Sequence, residues 1–192
     1  MKTYFARTGT LLVSLFAGSN AYAQAMTVFG GSGMARDCFM SAKMASTLTV
    51  MTRGSLDACD YVLEHGEMSV RDRAATYVNR GIIKAALEDY EDAIKDYETA
   101  IKMKPEFAET YVNRGNVFFM GHAYGRAIDD YSKAVELKLD KLYIAHLNRG
   151  MAYERIGDRA NAESDYRRAL ELYPDWKLAR DKLDKLLAKA NS

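Results

Sequence analysis

Cys38 and Cys59 are the only thiols in this chain of 192 residues. Two thiols can form a structural bridge, exchange with a redox partner, or help to bind a metal. A catalytic redox pair usually has two intervening residues, whereas twenty separate these cysteines. Metal binding needs more ligands than two thiols, and His65, His122 and His146 share no metal-ligand spacing. The even count favours a structural bridge closing a loop of about 20 residues, which stabilises by about 3 kcal/mol on the chain-entropy model. A thiol-dependent enzyme would instead require reactive cysteines.

The other groups that could do chemistry recur. Arg80, Arg114 and Arg149 run in step with Asp96, Asp130 and Asp165, one pair per period. An active site rarely appears three times in register, so these pairs are expected to hold two helices of one repeat together through charge-assisted hydrogen bonds. The acidic pairs Glu88-Asp89 and Asp129-Asp130 are expected at helix starts or on solvated faces, where negative charge complements the helix dipole. The chain has no glycine-rich phosphate loop, nucleophile elbow or paired metal motif. No enzyme activity and no cofactor are therefore expected.

The elements that must position these groups follow from an internal repeat. A-I-K-D-Y-E-T-A, from Ala93 to Ala100, returns as A-I-D-D-Y-S-K-A from Ala127 and as A-E-S-D-Y-R-R-A from Ala162. Each copy is preceded by Asn-Arg-Gly, at Asn79, Asn113 and Asn148, with spacings of 34 and 35 residues. That period signals stacked supersecondary units. Spacings of three and four place Gly81, Gly115 and Gly150 on one helical face, and Ala93, Tyr97 and Ala100 with their counterparts on another. Small residues there let two helices approach while each tyrosine fills the gap beside them. Pro105 and Pro174 stand where a missing N–H helps to end the second helices.

These positions resemble the tetratricopeptide repeat family. With Ala74, Ala108 and Tyr143 as first positions, the small eighth residue is matched by Gly81, Gly115 and Gly150. The small twentieth is matched by Ala93, Ala127 and Ala162, the aromatic twenty-fourth by Tyr97, Tyr131 and Tyr166, and the small twenty-seventh by Ala100, Ala134 and Ala169. The resemblance implies an all-α, right-handed superhelical solenoid of antiparallel helix pairs. Repeats are expected over 74–107, 108–141 and 143–175, with a degenerate, disulfide-linked helix pair over 35–67 in front. A capping helix over 176–190, with its stripe Trp176, Ala179, Leu183, Leu186 and Leu187, is expected to cover the open end. The pattern departs from the family at Leu139, which stands where proline is usual, at an extra residue between Ala134 and Asn148, and at Glu88 and His122, which occupy the turn position held by Gly157 in the third unit. A local change of stacking after the second unit is expected.

The family binds ligands in a concave groove lined by first helices. Carried over by position, the groove is expected at Val78, Ile82, Glu109, Val112, Asn116, Phe119, Met120, Leu147, Met151 and Arg155. That lining is mostly apolar, which suits a hydrophobic peptide or helix better than an acidic tail. A carboxylate clamp would use lysine and asparagine on first helices. Asn79, Asn113, Asn116 and Asn148 match half of it, but Val78 replaces the groove lysine.

Met1 to Ala23 places Lys2 and Arg7 before a short apolar run around Leu11 to Ala17 and ends in Ala21-Tyr22-Ala23. This is the layout of a secretory signal peptide, too short in its apolar core to span a bilayer comfortably. Residues 24–34 then read as a flexible lead-in. The net charge is +1 over the whole chain and −1 without Lys2 and Arg7, so neither form carries a field that would mark nucleic acid as its main partner. The expectation is an exported scaffold or adaptor that binds a protein or peptide, periplasmic or alternatively secreted, with no membrane span after signal removal. The alternative is a homo-oligomer that builds a structure of the cell envelope.

Overall fold

The computed structural model describes residues 33–45 and 52–188, which form helices and no strands. The expected signal peptide, 1–23, and nearly all of the lead-in lie outside the described residues. Helix α1 (Gly33–Ala45) is followed by a 3₁₀ turn (Arg53–Leu56) and α2 (Asp57–His65). Three helix pairs come next: α3 (Val70–Ala86) with α4 (Tyr90–Met103), α5 (Ala108–Met120) with α6 (Tyr124–Glu136), and α7 (Leu142–Arg155) with α8 (Arg159–Leu172). Helix α9 (Lys177–Ala188) closes the array against α8. Each helix packs on its sequence neighbour, so the core is a continuous strip between pairs, the organisation of a helical solenoid.

Local chemistry sets the helix ends. The Ser69 hydroxyl accepts the Asp72 amide at 3.1 Å and caps α3. The turn from first to second helix has the same form in all three pairs: Asp89, Ala123 and Asp158 donate back to Lys84, Phe118 and Tyr153. The residue before each is left-handed, with φ of 65° at Glu88, 60° at His122 and 83° at Gly157. Glycine adopts that conformation without strain; Glu88 and His122 adopt it at some cost.

Within each pair the helices meet where the sequence is smallest. A Cβ added to Gly81, Gly115 or Gly150 would lie 2.6, 2.8 and 2.8 Å from Cε1 of Tyr97, Tyr131 and Tyr166 respectively, closer than real Cβ contacts. The three tyrosine rings are fully buried, as are Ala93, Ala127 and Ala162. After the second repeat the extra residue is absorbed at the end of α6, where Lys138 is left-handed at φ 57° and Leu139 donates back to Ala134. Leu139 is buried in the core there.

Cys38 and Cys59 are bonded, joining α1 to α2 with their Cα atoms 4.7 Å apart.

Candidate functional site

The recurring charges form one bidentate pair per repeat. Arg80 donates to both oxygens of Asp96 at 2.9 and 2.7 Å, Arg114 to Asp130 at 2.9 and 2.7 Å, and Arg149 to Asp165 at 2.8 and 2.9 Å. Each arginine lies on a first helix and each aspartate, buried, on the second helix of the same repeat. Asp130 is thus not on a solvated face: the sequence puts it beside exposed Asp129, but one helical position turns its side chain inward to Arg114. Aromatic rings also stack on two of the guanidinium groups, with Arg80 5.3 Å from the Tyr77 centroid and Arg114 5.8 Å from that of Tyr111.

The third repeat departs from this pattern. His146 takes the place of Tyr77 and Tyr111, and its Nδ1 bonds Asp165 at 2.8 Å. Burial pushes both Asp130 and Asp165 toward protonation. At Asp130 this outweighs Arg114 and the carboxyl stands above its ordinary value; at Asp165 the hydrogen bonds of Arg149 and His146 together hold it below. Isolated in sequence, His146 gave no sign of this bond; the signal was the position it shares with the two tyrosines. Arg80 also reaches Asp60 on α2 at 2.7 Å, tying the N-terminal pair to the first repeat. Arg73 donates to the carbonyls of Leu63 and Gly66 and so closes the end of α2.

Most of the expected groove residues are interior. Val78, Ile82, Val112, Asn116, Phe119, Leu147 and Met151 are buried between helices. Two facts account for this. Neighbouring first helices pack against each other, and Val78 and Ile82 share a buried cluster with Cys38 and Ala42 of α1. Asn116 accepts the Tyr131 hydroxyl and the Asn148 amide, both at 2.9 Å, so this asparagine links the second repeat to the third. The surface available on this wall is carried by half-exposed Glu109 and Met120 and exposed Arg155, with Ala86 and Ile156 beside them.

Around Arg155 the side chains are ordered by rings. The Arg155 guanidinium is 5.7 Å from the Phe119 centroid and 6.0 Å from that of Tyr124, and these two rings meet edge to face at 5.3 Å. His122 Nδ1 lies 2.6 Å from the Tyr124 hydroxyl. Burial keeps Glu109 above its ordinary carboxyl value, helped by Asp140. A separate solvent-open hollow beside α8 is lined by His146, Arg149, Glu163, Arg167, Arg168 and Glu171. Arg167 is paired there with Glu163, and Arg168 with Glu171. Among the described residues no cluster of metal-binding side chains forms, and no helix is long and apolar enough to cross a membrane.

Two family models match the chain: TPR repeat over residues 76–121 and tetratricopeptide repeat over residues 143–175. The matched segments are therefore tetratricopeptide repeats. No curated protein matches it. Among solved structures it is similar to the Arabidopsis OM64 TPR domain, with 26% identity over 63% of this chain and 99% of that one and a TM-score of 0.60. The first TPR of Spaghetti (RPAP3) bound to an HSP90 peptide matches at 26% identity over 62% of this chain and 94% of that one, with a TM-score of 0.59. The second TPR domain of the human RPAP3 protein, in complex with an HSP70 peptide, matches at 26% identity, 62% and 98% coverage and a TM-score of 0.58. Two of these neighbours thus hold peptides, and the chain has the fold of a protein-binding scaffold.

Proposed function

We propose that this protein is an exported, non-enzymatic adaptor that binds a protein or peptide along the wall of first helices, with Glu109, Met120 and Arg155 as the contact residues. The observation that carries the reading is the accessible strip of that wall, where Met120 and Ile156 stand with Glu109 and Arg155, on a scaffold whose interior charges are already paired within each repeat. Buried Val112, Asn116, Phe119, Leu147 and Met151 then act by holding the wall in shape. An apolar peptide or an amphipathic helix suits such a surface. The acidic peptides held by the solved neighbours suit it less, because Val78 stands where a carboxylate clamp would place lysine. The segment 1–23 supports export, and the Cys38–Cys59 bond fits an oxidising compartment such as the periplasm.

Affinity capture from the native host tests this reading. The wild type is expected to retain a partner that Met120→Asp/Arg155→Glu loses and that Lys95→Glu, on the outer face of α4, keeps. Equal recovery by all three would overturn it. A second reading, self-association, is favoured by exposed apolar residues at both ends of the array: Met40, Tyr61 and Val70 at one, Leu172 and Tyr173 at the other. A molecular mass that rises with concentration would favour it.

A further inference from the structure

Helix α1 is held to the repeats in two ways. One is the Cys38–Cys59 bond to α2; the other is its seat on α3, where Cys38 and Ala42 share a buried cluster with Val78, Ile82 and Ala85. On α1 the seat is made of small side chains, which cover the larger Val78 and Ile82 of α3, while Met40 and Met44 are on the exposed side of α1. A helix of 13 residues is marginal by itself in water, and burying small side chains contributes little. The bond therefore carries much of the attachment. Beneath α1 lies the apolar start of the first-helix wall. The helix now seated there has Cys38, Ala42 and Ala45 spaced four and three residues apart along one face.

We propose that α1 is an intramolecular occupant of the first-repeat wall, latched by the Cys38–Cys59 disulfide, and that opening this bond offers the wall to a partner helix with a similar small-residue face. The proposal rests on reading the first helices as the ligand wall. Opening is a thiol–disulfide exchange with a reduced dithiol. One thiolate of the dithiol attacks a sulfur of the bond, giving a mixed disulfide and one free cysteine thiolate. The second thiol of the reagent then displaces the other cysteine. The protein gains two electrons and two protons, and the dithiol leaves as a cyclic disulfide. Both cysteines are fully buried, so exchange proceeds through moments when α1 lifts, which the thin seat makes accessible.

Hydrogen exchange and peptide binding on the full chain test this. The protein is compared oxidised, after dithiothreitol, and as Cys38→Ser/Cys59→Ser. The probe is a fluorescent peptide copying residues 33–45 with Cys38→Ala. Opening the bond is expected to speed exchange in α1 about a hundredfold, to leave α5 to α8 protected, and to let the probe bind where the oxidised protein does not. Unchanged protection of α1 overturns the latch, as does loss of protection throughout the repeats, which would make the bond a staple of the whole fold. A freed α1 with no bound probe overturns the partner helix while leaving the wall at Met120 and Arg155 to its own test.

Discussion

The Arg149 guanidinium spans both carboxylate oxygens of Asp165, Nε to Oδ2 at 2.8 Å and Nη2 to Oδ1 at 2.9 Å. The same pair is built 35 residues earlier by Arg114 and Asp130, so one interaction fixes the two helices of each repeat relative to each other. Removing one partner strands a largely buried charge, which costs about 3–5 kcal/mol. Arg114→Ala and Arg149→Ala are each expected to lower stability by about 3 kcal/mol, read by urea denaturation. An exposed-pair control, Lys95→Ala, is expected to leave the denaturation midpoint nearly unchanged, because solvent screens that pair.

His146 makes the third aspartate different from the second. The Asp165 carboxyl is held below its ordinary value, so its contribution to stability is present above the unfolded carboxyl pKa of about 3.9 and is lost as pH falls through the lower folded value. His146→Phe keeps a ring but removes one hydrogen bond to Asp165. The folded pKa of Asp165 is expected to rise toward the unfolded value, so the variant has less of this contribution near neutral pH and loses less stability than the wild type as pH falls through the carboxyl range. Carboxyl NMR titration of Asp165 in the two proteins measures this directly.

Gly115 is small because Tyr131 leaves no room for a side chain. Gly115→Ala forces a Cβ to 2.8 Å from the ring and is expected to destabilise by about 1–3 kcal/mol. Gly125, in the first turn of α6, meets nothing within 4 Å of an added Cβ. Gly125→Ala is expected to be neutral or to stabilise by up to about 0.5 kcal/mol. Thermal unfolding of the two variants separates packing from backbone entropy.

Glu88 holds a left-handed turn that glycine fills in the third repeat. Glu88→Gly is expected to raise stability by about 0.5–1 kcal/mol, seen as a higher denaturation midpoint with an unchanged slope.

The repeat was legible because close packing and charge pairing impose residue types at fixed spacing. Gly81 against Tyr97 and Arg80 against Asp96 recur two more times, and three registers leave little freedom. The cysteine pair was legible from its even count. The wall was less so. Position within the repeat places Val112 and Leu147 near the inner face, but whether such a side chain meets solvent depends on how closely neighbouring first helices stack. At Val78 and Ile82 it also depends on α1, whose seat no periodicity announces. The Asp165 bond to His146 joins residues 19 apart through a substitution that occurs in one repeat alone, so no repetition marked it.

The measurement that bears most directly on the adaptor reading is site-specific photocrosslinking in the native host, with the reactive group at Met120 or Arg155 and at Lys95 as the control. Contact through the first-helix wall predicts one partner trapped from both wall positions and absent from the control. The same products from all three positions, or products from Lys95 alone, would contradict it.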